Sequence, residues 1–183
     1  MINMFKRALA VLIAIYVLPL ILLSCDCKER IQYCHTIDTI SLTPFDNAGN
    51  EPVAVTNGQV IAKAFILQLN VNDNMAICRR EIPFMNTAYA TTKDDCEDHQ
   101  YKDQPVIISI TSNKDFDAAH KAGTELRALF KGPDASSITA GNKYDFFMLH
   151  EPADTGTHIF SLKLTMQDQK VLEASSQPIK LLK

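Results

Sequence analysis

The chain has 183 residues, a formal net charge of −3 and 46% hydrophobic residues. This length suits one compact domain that can bury a sizeable hydrophobic core. A mildly acidic chain without a basic cluster is a poor candidate for binding nucleic acid, or for electrostatic adhesion to anionic lipid. Because tryptophan is absent, the composition also gives little sign of an aromatic sugar-binding platform.

The first 24 residues have the three parts of an export signal. Lys6 and Arg7 form the positive start, and the uncharged run 8–23 follows them. A helix over this run would be about 24 Å long, shorter than the roughly 30 Å hydrocarbon core of a bilayer. Pro19 near its end also disfavours a spanning helix. We therefore interpret residues 1–24 as a cleaved signal peptide, with an uncleaved anchor as the alternative.

Residues 22–25 (Leu-Leu-Ser-Cys) resemble the lipobox of bacterial lipoproteins, in which a small residue precedes the modified cysteine. The resemblance implies that the Cys25 thiol receives a diacylglyceryl group, that cleavage falls before Cys25, and that its new amino group is acylated. Two or three acyl chains anchor a protein stably, whereas one does not. The mature chain, residues 25–183, would then carry a charge of −5 and be tethered to the inner or outer membrane of the cell envelope. The alternative is an ordinary secretory signal whose cysteine joins a disulfide.

Four further cysteines follow, namely Cys27, Cys34, Cys78 and Cys96. An even number of cysteines in an exported protein predicts two disulfides, and three pairings are open. The favoured pairing joins Cys27 to Cys34 beside the anchor and Cys78 to Cys96 across a longer loop. Free thiols and a metal site are the alternatives, but no Cys-x-x-Cys spacing supports a metal site.

Alternating apolar and polar residues dominate the rest of the chain, which indicates half-buried strands. The first predicted strand, 36–43, follows a short tether over 25–35. In the last predicted strand, 170–182, Pro178 marks an edge or bulge. One or two short helical turns are expected within 115–130, with Thr124 as a cap for the second. Strands are predicted at 36–43, 60–72, 106–111, 144–149, 158–166 and 170–182.

Two of the strands have a clear apolar face, formed by residues at a spacing of two. The whole pattern predicts a single mainly β domain over 36–183. Its fold class is an antiparallel β-sandwich, of which the immunoglobulin-like arrangement is one form, with one or two short helices. The apolar faces consist of Ile61, Phe65, Leu67, Leu69 and Val71 in one strand, and Phe160, Leu162, Leu164 and Met166 in the other.

The layout resembles a family of uncharacterised lipoproteins from Bacteroidota. The shared features are the start Cys25-Asp26-Cys27 with Cys34, and the segments 110–116, 122–126 and 177–181. The resemblance implies a lipoprotein of the cell envelope. It supplies no activity, so no functional residue is carried over.

Two groups of residues are candidate cation sites. The acidic segment 94–99 has several carboxylates, which calcium prefers, but it lacks the spacing of an EF-hand. His150, Glu151 and His158 could supply zinc ligands across a hairpin turn, although the His-Glu-x-x-His spacing is missing. In both cases a solvated surface loop is the favoured interpretation, and no metal site is predicted.

The segment 113–117 after a central strand has two interpretations. Polar loops on a rigid β-scaffold often carry a binding function. The favoured alternative is a turn in which Asn113 or Asp115 bonds the backbone.

No pattern indicates catalysis, since neither Gly-x-Ser-x-Gly nor a glycine-rich phosphate loop occurs. We therefore expect no catalytic residue and no cofactor. The function predicted is a membrane-anchored, non-enzymatic binding or structural module, with an envelope protein as partner and no nucleic acid. A small-ligand or metal-binding lipoprotein is the alternative, followed by a hydrolase.

Overall fold

A computed structural model describes residues 30–81 and 97–183 of the protein. This part of the chain is mainly β-structure, as predicted, and its helical residues form short 3-10 turns only. The turns are η1 (Ala62–Ala64), η2 (Arg127–Leu129) and η3 (Ala135–Ser137). The strands are β1 (Arg30–Asp46), β2 (Val53–Ala54), β3 (Gln59–Ile61), β4 (Phe65–Glu81), β5 (Glu97–Tyr101), β6 (Pro105–Ser112), β7 (Phe130–Lys131), β8 (Lys143–Met148), β9 (Gly156–His158), β10 (Phe160–Met166), β11 (Val171–Ser175) and β12 (Ile179–Leu182).

The described residues divide into two compact units. The first unit consists of residues 30–34, 76–81 and 97–100, and the second of residues 35–75 and 101–183. Residues 30–35, which the sequence suggested as part of a tether, lie in β1.

The described strands form three sheets, and most of the ladders between them are antiparallel as predicted. One sheet has the order β2-β1-β4-β8-β7, with β5 also paired to β1. The second has the order β11-β10-β6, and the third β3-β12-β9. β3 departs from the antiparallel prediction, since it runs parallel to β12.

The hydrophobic core lies in the second unit and draws side chains from all three sheets. The apolar faces predicted from alternation are confirmed for Phe65, Leu67, Leu69 and Val71 in β4, all of which are buried. The face of β10 is confirmed as well, since its four predicted residues are buried. Ile61 is a correction, because η1 separates β3 from β4 and leaves Ile61 exposed.

Of the one or two helical turns predicted within 115–130, the 3-10 turn η2 forms, whereas residues 115–126 are not helical. Asp115 accepts a hydrogen bond from the Ala122 N–H (2.9 Å), and Asp117 accepts one from the His120 N–H (2.7 Å). Such local side-chain bonds compete with a helical backbone. Gly123 has a positive φ of 80°, which also ends any helical run. Thr124 does not cap a helix, because its hydroxyl donates to the Lys121 carbonyl.

Residues 123–126, which precede η2, cover the outer edge of β6. The Leu126 N–H donates to the Ile110 carbonyl (2.7 Å), and the Gly123 N–H donates to the Ser112 carbonyl (2.8 Å). The Glu125 carboxylate accepts the Ile110 N–H (2.9 Å). These bonds satisfy backbone groups that would otherwise lie unpaired at a sheet edge.

The last two predicted strands, 158–166 and 170–182, pair as a hairpin, but the second of them is divided. β10 and β11 pair around a turn in which Gln169 has a positive φ of 69°. Pro178 lies between β11 and β12, which belong to different sheets. Since proline has no N–H to donate, a ladder cannot continue through it unchanged.

Candidate functional site

The residues with the strongest chemical prediction lie outside the described part of the chain. These are Cys25, Cys27 and Cys96, together with the apolar run 8–23. Within residues 30–81 and 97–183, no helix is long and apolar enough to cross a membrane.

A disulfide in the first unit joins Cys34 of β1 to Cys78 of β4. Their Cα atoms are 5.6 Å apart, a usual separation for a bridged pair. This bond overturns the favoured pairing of Cys27 with Cys34 and of Cys78 with Cys96. The bond is consistent with the prediction that Cys34 and Cys78 are bridged.

The acidic segment 94–99 is described only from Glu97 onward, where it belongs to β5. Asp98 accepts a hydrogen bond from the Gln32 side chain (2.9 Å). The His99 ring stacks on Tyr33 with centroids 5.3 Å apart. A strand with these contacts differs from the flexible loop that wraps calcium. Among the described residues, no group of three or more histidine, cysteine or acidic side chains is arranged to hold a metal.

His158 is buried in the core, which corrects its interpretation as a surface residue. It is 0% exposed, whereas His150 is exposed. The sequence did contain a signal for this position, because His158 lies two residues before Phe160 on the inward-facing alternation. The Phe160 ring stacks on the imidazole with centroids 5.7 Å apart, and the Phe116 ring meets it edge-on at 6.0 Å.

Ser112 and His158 form a buried polar pair between β6 and β9. The Ser112 Oγ lies 2.9 Å from the His158 Nδ1, and it accepts a hydrogen bond from the Lys114 N–H (3.2 Å). The His158 Nε2 is buried with no hydrogen-bond partner among the described residues. In a catalytic serine–histidine pair a third group orients the imidazole and the serine is open to substrate. Ser112, only 3% exposed, does not meet the second condition, so the pair is a feature of the core.

Burial lowers the pKa of His158, and the positive charge of Lys114 adds to this effect. The folded protein therefore resists protonation of His158, whereas the unfolded chain takes up the proton near pH 6.5. We expect the free energy of unfolding to be highest above pH 6.5, and to decrease as the pH falls below that value, until the lowered folded-state pKa is reached. Urea unfolding between pH 7.5 and 5 measures this effect.

His158→Phe is the control for this prediction, because phenylalanine is similar in size and does not titrate. The variant should lose less stability than the wild type over the same pH interval. An equal loss in both proteins would show that other groups cause the pH dependence. Asp115 and Asp117 are separated from this test, because their pKa values are lowered from 3.8 and they act only in more acidic solution.

The segment 113–117 adopts the backbone-bonded turn that the sequence favoured. Asn113 donates its N–H to the Ile159 carbonyl (3.1 Å), and its side-chain oxygen accepts the Ile159 N–H (2.7 Å). The pKa of Asp115 is lowered first by its bond to the Ala122 N–H, and then by its contact with Lys121. These polar groups are therefore used in shaping the turn.

A group around His35 in the second unit was not predicted from the sequence. His35 Nδ1 lies 2.6 Å from the Asp73 carboxylate, and the Tyr101 ring stacks on the imidazole at 4.8 Å. The three residues are 28 or more positions apart in the chain, so no local motif could reveal them. His35 is buried, and the cluster supplies one imidazole and one carboxylate, fewer ligands than a structural metal site needs.

The surface best suited to binding is the outer face of the sheet β11-β10-β6. Ile107 is 56% exposed and Val171 55% exposed, and Thr165 of β10 pairs with both of them. Beside this row, Lys163 forms an ion pair with Glu173. The outer face therefore combines apolar, charged and hydroxyl rows on a regular β-scaffold. It consists of Ile107, Ser109, Thr111, Ser161, Lys163, Thr165, Val171, Glu173 and Ser175.

Comparison with known proteins gave one finding. A family model described as a domain of unknown function (DUF5034) matches residues 37–135, which is more than half of the chain. The matched span includes most of β1, β4 and β6, and it ends before β8. No curated protein and no solved structure matches the chain.

Proposed function

We propose that this chain, which belongs to the family of the domain of unknown function DUF5034, is a lipid-anchored lipoprotein of the cell envelope whose β-rich body binds a protein partner without catalysing a reaction. One observation carries the anchor. It is the Ser24-Cys25 pair at the end of the uncharged run 8–23, which Lys6 and Arg7 precede. We also propose that the protein is one of the envelope lipoproteins of Bacteroidota that its layout resembles.

The charge of the chain supports a lipid as the means of attachment. A mature chain with a charge of −5 is repelled by anionic headgroups, so electrostatic adhesion does not hold it at a membrane. A diacylglyceryl group on the Cys25 thiol, with an acylated amino group, supplies the two or more chains that stable anchoring requires.

The chemistry of the described side chains supports a binding role. The Ser112 hydroxyl and the His158 imidazole are buried, and the Asp115 and Asp117 carboxylates bond to nearby backbone. The exposed side chains of the outer face lie on a rigid sheet, an arrangement that suits recognition of another protein.

Cys25→Ser tests the anchor. Without the thiol no lipid can be attached, so we expect the variant to leave the membrane fraction and to incorporate no labelled palmitate. Cell fractionation and metabolic labelling measure both effects. Cys27→Ser is the matched control, which should keep its label and its membrane attachment. A Cys25→Ser protein that remained labelled and in the membrane fraction would contradict the proposal.

A further inference from the structure

β11 is an edge strand of the sheet β11-β10-β6. Two hydrogen bonds show in which direction its backbone N–H and C=O groups point. The Met166 N–H donates to the Lys170 carbonyl (2.8 Å), and the Ser176 N–H donates to the Phe160 carbonyl (2.8 Å). The pairs Met166–Lys170 and Phe160–Ser176 continue the register of β10 and β11 by one residue at each end. Since opposite pairs in an antiparallel ladder alternate between bonded and non-bonded, the even-numbered residues of β11 bond to β10.

The odd-numbered residues Val171, Glu173 and Ser175 therefore direct their N–H and C=O groups away from β10. No described residue bonds to these backbone groups. The other edge of the same sheet is covered, because the segment around Glu125 bonds to β6. Within residues 30–81 and 97–183, the sheet thus has one covered edge and one open edge. An open edge with exposed N–H and C=O groups is a template for another strand.

We infer that this edge binds an extended segment of a partner protein, which adds to the sheet as an antiparallel strand beside β11. The inference deepens the proposed binding role and rests on it, but it does not depend on the lipid at Cys25. The side chains of β11 specify the chemistry of that segment.

β10 shows which residues complement β11 in an antiparallel register. Lys163 Nζ lies 3.3 Å from a Glu173 carboxylate oxygen, and the Ser161 and Ser175 hydroxyl oxygens are 2.7 Å apart. Directly opposite residues on a sheet face interact most strongly, and opposite charges there are favourable. The residues opposite Glu173 and Ser175 on the open side meet the same two side chains.

The partner segment is therefore expected to have the order hydroxyl, apolar, basic, apolar, β-branched. The basic residue faces Glu173, and the β-branched residue faces Val171 and extends its apolar row toward the partner. The two apolar residues point to the other side of the sheet, where Leu172 and Ala174 are only partly buried. Covering these side chains removes further apolar surface from water.

A second copy of this chain fits the edge less well in the symmetric register centred on Glu173. If two β11 strands paired symmetrically about Glu173, the two carboxylates would lie opposite each other, and like charges in that position repel. The β10 segment of a second copy, which has the complementary side chains, is already paired on both sides in its own sheet.

Titration of the full chain in detergent with a labelled peptide tests the inference. The probe is an acetylated and amidated copy of residues 160–166 (Phe-Ser-Leu-Lys-Leu-Thr-Met), observed by amide NMR and fluorescence anisotropy. We expect the amide signals of Val171, Glu173 and Ser175 to shift. Glu173→Pro should weaken binding about tenfold, since it removes the outward N–H and obstructs the strand, while the β10 ladder needs no N–H from this residue. Glu173→Gln keeps the N–H, so it should weaken binding only about two- to fivefold.

Methylated peptides give a second test that does not depend on the folding of a variant. In the peptide, the backbone nitrogen of lysine faces β11 in the expected register, so methylation of this backbone nitrogen should abolish binding. Methylation of either leucine nitrogen, which faces away, should leave binding within about threefold of the parent peptide. If the two kinds of methylation acted equally, or if Glu173→Pro bound as tightly as the wild type, the assignment of the edge would be overturned. A chain that dimerises in solution and becomes monomeric on Glu173→Pro would also overturn it, because a second copy would then occupy the edge.

The anchor and the edge fail separately in these experiments. Retention of Cys25→Ser in the membrane contradicts the anchor and does not change peptide binding. A protein that is released by Cys25→Ser but does not bind the peptide contradicts the edge alone.

Discussion

Replacing Cys34 and Cys78 together by alanine is expected to lower the free energy of unfolding by about 4 kcal/mol. The two cysteines are 44 positions apart, and a bridge over this distance removes much of the conformational freedom of the unfolded chain. The pairing favoured from sequence closes loops of 7 and 18 positions, which correspond to about 2 and 3 kcal/mol in the same model. Equilibrium unfolding in urea, without reductant, measures the change.

Peptide mapping under non-reducing conditions provides the control for that experiment. It should yield a fragment in which Cys34 is joined to Cys78, as in the structure. If all four cysteines of the mature chain beyond Cys25 are bridged, the remaining pair is Cys27 with Cys96, and both of these lie outside the described residues. A fragment that joined Cys78 to Cys96 would contradict the connectivity, whatever the loss of stability.

The cysteines illustrate what the sequence could and could not predict. Their even number and the export signal predicted bridges, because these depend on compartment and composition. The partner of each cysteine depends on which strands become neighbours. Cys34 in β1 and Cys78 in β4 are brought together by a sheet order that local spacing does not determine.

The strands illustrate the same limit on a local scale. Alternation predicted the buried faces of β4 and β10, since a side-chain period of two is a property of a single strand. Alternation failed at Ile61, where a turn interrupts the pattern. Of the helical turns expected within 115–130 only η2 forms, because Asp115 and Asp117 bond to the backbone before it.

The candidate site divides in a similar way. The sequence analysis favoured a surface position for His158, although its spacing to Phe160 agrees with burial, and its contact with Ser112 joins residues 46 positions apart. The outer face could not be predicted either, because it requires the register of β6, β10 and β11.

Phe160→Ala is expected to lower the free energy of unfolding by about 3–5 kcal/mol, the usual cost of removing a buried phenylalanine ring. The ring is 0% exposed and belongs to β10. It meets Phe65 of β4 at 5.3 Å and Phe130 of β7 at 5.8 Å, both measured between ring centroids. The Phe160 ring also stacks on the imidazole of His158 in β9. Phe160 therefore connects strands of all three sheets, and a cavity at this position weakens each of those contacts.

Phe147→Ala is the matched control, because Phe147 is a phenylalanine of β8 that is exposed. Its removal leaves no cavity, so we expect a change within about 0.5 kcal/mol. Urea unfolding of both variants separates the two cases. If Phe160→Ala cost no more than Phe147→Ala, the three sheets would not share the core that Phe160 occupies. A large difference would show that β10, the strand that pairs with β11, is fixed in this core through Phe160.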